Sequence, residues 1–205
     1  MSTELGDKAE GDCYSEGERA WMLKGQELRA RLLLPLLRLL QRWRITPDQL
    51  TLLSLFAGFA FCPLYFWSPL AAFAALMIHV LLDGLDGPLA RYLGVASRRG
   101  SFTDTMADQL VVTATTITLM KVGVVGVAAG GVYIFVYGIV VAFAMVRNAM
   151  AIPYSWLVRP RFLVYAWMLM EVWWWPGTIE TVLWLASAFL TTLMISGFLR
   201  IRKEL

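Results

Sequence analysis

Charge is scarce in this chain: 16% of its 205 residues are Asp, Glu, Lys or Arg, 59% are hydrophobic, and mean hydropathy is +0.62. Soluble globular domains carry about 25% charged residues, so this composition excludes one and indicates an integral membrane protein. Cysteine is nearly missing as well. Cys13 in a polar stretch and Cys62 in an apolar run form neither a disulfide framework nor a CxxC metal motif. The first 18 residues lack an apolar core and set Glu4, Asp7, Glu10, Asp12, Glu16 and Glu18 against Lys8, which excludes a signal peptide and predicts a disordered acidic tail over 1–18. No nucleic-acid partner is expected.

What is present is a series of long apolar runs. Six can be delimited by length and punctuation, at about 47–67, 69–91, 102–120, 122–147, 161–175 and 178–199, most of them long enough for a hydrocarbon core of about 30 Å. The expected fold is therefore all-α, with a six-helix transmembrane domain over 46–205. Thr46-Pro47-Asp48-Gln49 is a helix start: a Thr N-cap, Pro at the first helical position and Gln three residues after the cap. Residues 19–45 interleave Arg19, Arg29, Arg31, Arg38, Arg42 and Arg44 with Trp21, Leu28, Leu32, Leu36, Leu39 and Trp43, which predicts an amphipathic juxtamembrane helix lying in the interface, bent at Pro35. With six spans and a cytoplasmic N-terminus, the arginines at 44, 91, 98, 99, 147, 159, 161, 200 and 202 and Lys203 fall on the cytoplasmic side, and Lys121 falls outside. Trp173, Trp174 and Trp175 fit an interfacial belt, Glu171 and Glu180 the outer interface, and Gly123, Gly126, Gly130 and Gly131 close helix contact.

Against this background four carboxylates stand out in the run LLDGLDGPLARYLGVASRRGSFTDTMADQL: Asp83, Asp86, Asp104 and Asp108. An Asp at the centre of a membrane helix costs about 2.5–3.5 kcal/mol on insertion scales, so four unpaired ones would cost on the order of 10 kcal/mol. Asp83 and Asp86 are spaced i, i+3, and Asp104 and Asp108 i, i+4, so each pair lies on one face of its helix. Two such helices facing each other gather four carboxylates, and clustered hard oxygens suit Mg²⁺, Mn²⁺ or Ca²⁺ rather than zinc. A two-metal site at the cytoplasmic face is expected. His79, one turn before Asp83, reads as a hydrogen-bonded packing residue.

The pattern Asp83-x-x-Asp86-Gly87-x-x-Ala90-Arg91, eight residues, then Gly100-x-x-x-Asp104-x-x-x-Asp108 resembles the complete signature of the CDP-alcohol phosphotransferases. The six-helix architecture is similar to that family's as well. The resemblance implies an enzyme that moves the phosphatidyl group of CDP-diacylglycerol to an alcohol and releases CMP, with two divalent ions, Mg²⁺ or Mn²⁺, as cofactors. It makes Asp83, Asp86 and Asp104 metal ligands, and Asp108 both ligand and general base. It places the donor against Gly87 and Gly100, with further contacts from Arg91, Ser97 and the helix start Thr46, Pro47, Asp48 and Gln49. Asp48 stands where many relatives have Asn. For Thr46 a pure N-cap role competes, for the glycines close helix packing, and for Arg91 topology. A homodimer in a bacterial inner membrane is the expected setting.

The acceptor is less defined. Arg147, Arg159 and Arg161 could converge beside the metals and bind an acceptor phosphate, although positive-inside topology explains them too. DTMADQLVVTATT resembles the third helix of phosphatidylglycerophosphate synthases, with Gln109 where a Lys is typical, whereas TPDQLT and RPR resemble phosphatidylinositol-phosphate synthases. The expected acceptor is glycerol 3-phosphate, with inositol phosphate second. A different class, a divalent-cation transporter lined by the aspartates, would need polar residues continuing to the far side, and the apolar runs do not supply them.

Overall fold

The structure, a computed structural model, describes residues 32–150 and 160–204. The predicted acidic tail, and the predicted juxtamembrane helix up to residue 31, lie outside the described residues. Among the described residues seven α-helices follow one another: α1 (32–42), α2 (Pro47–Tyr65), α3 (Pro69–Tyr92), α4 (Arg98–Lys121), α5 (Val127–Ala149), α6 (Pro160–Trp173) and α7 (Ile179–Glu204). There is no strand among the described residues.

Local chemistry sets the boundaries. The capping box at Thr46 is formed on both sides: Gln49 N–H donates to Thr46 Oγ1 at 3.3 Å, and Thr46 N–H to Gln49 Oε1 at 3.0 Å. Ser68 caps α3 and Pro69 opens it, as Ser97 caps α4. Arg44 takes a positive φ of 57° in the tight turn between α1 and α2.

Four helices, α2, α3, α5 and α7, are long and apolar enough to cross a membrane. The six expected runs all become helices, but two of them do not reach that standard alone. The start of α4 carries Arg98, Arg99, Asp104 and Asp108, and α6 has 14 residues. At 1.5 Å per residue α6 is about 21 Å long, short of a core of about 30 Å.

Contacts divide the bundle into two ends. Phe73 near the start of α3 meets Trp173 at the end of α6, with ring centroids 6.0 Å apart, and Lys121 at the end of α4 lies 5.2 Å from the Phe66 ring. At this end two carboxylates serve helix starts. Glu171 accepts from the backbone N–H groups of Gly177, Thr178 (2.9 Å) and Ile179 (2.8 Å), and Glu180 accepts from Gly126 N–H at 3.2 Å. Anionic groups belong there, because helix N-termini present unpaired N–H groups and positive dipole ends. At the opposite end lie the starts of α2, α4 and α6 and the finishes of α3, α5 and α7.

Between the ends runs a core that includes Phe61, Leu76, Val111, Leu119, Tyr133, Leu183 and Leu190. Glycines bring some of the helices close. A Cβ on Gly58 would lie 2.4 Å from Val111 Cγ2, joining α2 to α4, and one on Gly130 would lie 2.5 Å from Met120 Sδ, joining α5 to α4. Of the glycine run at the start of α5, Gly130 and Gly126 make close contacts, Gly131 faces open space, and Gly123 serves the turn with φ 75°. The described part of α1 docks Leu37 and Leu40 on Leu50 and Leu89, while Leu32, Leu36, Leu39 and Trp43 are exposed on its other side.

Gly58→Ala is expected to lower the thermal midpoint in detergent, because an overpacked contact costs about 1–3 kcal/mol. Gly131→Ala, whose Cβ meets nothing within 4 Å, should leave the midpoint unchanged.

Candidate active site

The site forms where the finish of α3 meets the starts of α2, α4 and α6. Asp83 and Asp86 sit one turn apart on α3, and Asp104 and Asp108 one turn apart on α4. Asp83, Asp104 and Asp108 each offer a carboxylate oxygen within 4.8 Å of the others. Unit charges that close repel by on the order of 3 kcal/mol per pair at an effective dielectric near 20. Such a group is stable only if a proton or a cation offsets the repulsion.

Arg161, in the first turn of α6, supplies one. Its Nη2 donates to Asp83 Oδ2 at 2.9 Å, and its Nη1 pairs with Asp108 Oδ2. The residue is 2% exposed, and its guanidinium lies 4.7 Å from the centroid of the Phe162 ring. One arginine does not satisfy three carboxylates. Among the described residues, Asp104 Oδ1 and Asp108 Oδ1 are buried without a hydrogen-bond donor. Two unsatisfied hard oxygens in a carboxylate cluster fit a divalent cation of the Mg²⁺ or Mn²⁺ type.

Asp86, the fourth expected carboxylate, is 6% exposed and turned toward α2, accepting from Thr51 Oγ1 at 2.7 Å and from Gly87 N–H. Three of the four predicted aspartates thus have oxygens all within 4.8 Å of one another, and Asp86 stands beside them, next to Asp104. His79 behaves as expected of a packing histidine: its Nδ1 lies 2.8 Å from Ser54 Oγ, and its Nε2 is 3.9 Å from Asp108 Oδ1, beyond hydrogen-bond range. Thr51 and Ser54, which hold Asp86 and His79, were not singled out in the sequence. Their signal was available, since two hydroxyls at i, i+3 in an otherwise apolar helix share one face.

The remaining candidates fall into three groups. At the helix starts, Thr46 and Gln49 are engaged with each other, Pro47 offers its carbonyl to Thr51 Oγ1 at 3.2 Å, and Asp48 is exposed. Ser97 Oγ accepts from Gly100 N–H at 3.1 Å, so its described role is to cap α4. On α3, a Cβ at Gly87 would lie 3.5 Å from Arg91 Nη1, which places the exposed Arg91 side chain over the glycine. Of the three acceptor arginines, Arg161 lies in the cluster, Arg147 is buried in the last turn of α5, and Arg159 lies outside the described residues.

Residues 44–194 match the model of the CDP-alcohol phosphatidyltransferase family. The chain belongs to this family. Among curated proteins it is 41% identical over 66 residues to a CDP-diacylglycerol–serine O-phosphatidyltransferase of Mycobacterium leprae, covering 32% of this chain and 22% of the relative. It is 39% identical over 70 residues to an archaetidylinositol phosphate synthase of Aeropyrum pernix, covering 33% of this chain and 36% of the relative. The chain thus matches well under half the length of these relatives. Its fold is similar to that of Mycobacterium tuberculosis phosphatidylinositol phosphate synthase, solved with CDP-DAG bound, with a TM-score of 0.71, 21% identity, and coverage of 83% of this chain and 94% of that one. The same protein in complex with manganese and citrate gives a TM-score of 0.69.

Thr51→Val removes the donor to buried Asp86 without changing side-chain shape. A lost charged hydrogen bond costs about 1.5–3 kcal/mol, so the thermal midpoint should fall, and Thr51→Ser should restore most of it.

Proposed function

We propose that this protein is a membrane-embedded, metal-dependent CDP-alcohol phosphatidyltransferase that transfers the phosphatidyl group of CDP-diacylglycerol to an alcohol and releases CMP. The observation carrying this reading is the cluster of Asp83, Asp104 and Asp108, with two buried oxygens lacking donors among the described residues, at one end of an apolar helical bundle. Family membership names the donor class. Asp83, Asp86, Asp104 and Asp108 would hold two divalent ions, which when bound would neutralise the pyrophosphate and stabilise the departing CMP. Asp86 would join the set from its place against Thr51.

The chain's own residues carry the proton and the positioning. The acceptor hydroxyl oxygen forms a bond to the β-phosphorus, the bond from that phosphorus to the CMP oxygen breaks, and Asp108 takes the hydroxyl proton. Gly87 and Gly100 leave room for the nucleotide, Arg91 reaches the diphosphate, and Thr46, Pro47, Asp48, Gln49 and Ser97 line the donor's approach. In this reading α4 and α6 complete six spans, shielded by the four more apolar helices, and the arginine-rich end faces the cytoplasm of a bacterial cell.

The acceptor is assigned as a phosphorylated polyol, with inositol phosphate ahead of glycerol 3-phosphate. Buried cations at Arg147 and Arg161 favour a phosphate-bearing acceptor over a neutral one. The name of the archaeal relative favours inositol phosphate, and that of the mycobacterial relative makes serine the competitor.

Purified protein supplied with CDP-diacylglycerol, Mn²⁺ or Mg²⁺ and each acceptor in turn should release CMP fastest with inositol phosphate. Release with serine alone would overturn the acceptor assignment, and no release with any acceptor would favour the transporter reading. Asp108→Asn should lower kcat by about 10²–10⁴-fold, the usual contribution of a general base, while donor binding persists; retained turnover would refute the base. Arg147→Ala should raise the acceptor KM about tenfold or more and leave the donor KM nearly unchanged, as expected for a lost charged contact of about 1.5–3 kcal/mol.

A further inference from the structure

The guanidinium of Arg161 lies where the carboxylates would otherwise need a metal. It is not a surface cation resting against a site. It is 2% exposed, donates to Asp83 Oδ2 at 2.9 Å and pairs with Asp108 Oδ2, so it bridges one carboxylate of α3 and one of α4. These oxygens belong to two of the three side chains that could hold an ion.

The bridge is also incomplete. Among the described residues, Arg161 Nε is buried with no acceptor, and Asp104 Oδ1 and Asp108 Oδ1 are buried with no donor. A buried ion pair offsets its desolvation only when the remaining donors and lone pairs are satisfied. Charge gives the same result: the four aspartates and one guanidinium leave a net charge of about −3, two divalent ions beside the four aspartates alone would leave about 0, and keeping the guanidinium among them would leave about +1, an arrangement that disfavours the second kind of cation at such distances. His79 has its Nδ1 against Ser54 and its Nε2 3.9 Å from Asp108, and Asp86 is bonded to Thr51.

We propose that Arg161 is the resident counter-ion of the acidic cluster and exchanges with divalent cations, so that metal loading and release of Arg161 from Asp83 and Asp108 are one event. Without metal, Arg161 holds α3, α4 and α6 together across the carboxylates. With metal, the guanidinium is freed for an anionic group of the substrate. The inference rests on the reading of the cluster as a metal site, and it adds that the two cations compete.

The test is Mn²⁺ binding to the full chain in detergent, followed by the electron paramagnetic resonance signal of free Mn²⁺, for wild type, Arg161→Gln and Arg161→Lys. Exchange predicts that Arg161→Gln binds Mn²⁺ about tenfold more tightly, the equivalent of removing a competing charged contact. Arg161→Lys should also bind more tightly than wild type, because an ammonium keeps the charge without the planar two-carboxylate bridge. Thermal midpoints provide a second readout: both variants should melt below wild type without metal and close to it with saturating Mn²⁺. Unchanged or weaker binding by Arg161→Gln overturns the exchange, and so does a gain in Arg161→Gln with none in Arg161→Lys, which would mark simple charge repulsion. Failure of wild type to bind Mn²⁺ would instead overturn the metal-site reading itself. If Arg161→Gln does not fold, the lysine variant alone decides.

Discussion

Mutual repulsion of carboxylates in an apolar bundle is the constraint on which the rest of this structure depends. Three aspartates within 4.8 Å of one another can be tolerated only beside a cation and with neighbours that bring the carboxylates together and hold them in place. Each condition is met by a different element. The starts of α2, α4 and α6 and the finish of α3 bring the groups together, Arg161 from α6 provides the charge, and Thr51 from α2 holds Asp86. Helix α6, 14 residues long, delivers a functional side chain at each end: Arg161 in its first turn and Glu171 in its last.

The opposite end shows the same electrostatics solved in another way. Glu171 and Glu180 face backbone N–H groups at the starts of α7 and α5 rather than each other, and a helix terminus stabilises an anion without any metal. Carboxylates at the two ends of one bundle are therefore satisfied by different partners. Those at the far end are satisfied by backbone, and those near Arg161 retain acceptor oxygens to which none of the described residues donates. This asymmetry separates capping acids from candidate ligands more cleanly than composition does. It also bears on the transporter alternative, because the far-end acids are committed to the backbone and do not continue a polar path.

Close packing makes the cluster possible. Gly58 lets α2 approach α4, and Gly130 lets α5 do so, which sets the helix carrying Asp104 and Asp108 between its neighbours. The family match over residues 44–194 and the fold similarity to a phosphatidylinositol phosphate synthase agree with that arrangement. Neither bears on which hydroxyl attacks, since acceptor recognition depends on a few side chains around a shared scaffold.

Much of this was legible in the linear order of residues. Apolar length located every helix from α2 to α7, the Thr46 capping box marked one boundary, and the i, i+3 and i, i+4 spacing put the aspartates on two facing helices, because helical periodicity and capping are local properties. The length of α6 and the polarity of the α4 start were visible too, yet their bearing on the span count depends on the neighbours that cover them. What only the tertiary structure decided were the partnerships between distant positions: Thr51 with Asp86, Ser54 with His79, Glu171 with the start of α7, and above all Arg161 with Asp83 and Asp108. Residue 161 lies 78 positions from its partner at 83, and no local periodicity links them. The sequence by itself determined that four acids would need a counter-charge; which cation stands among them was settled by the packing of α6 against α3 and α4, because an ion pair depends on distance in space and not along the chain.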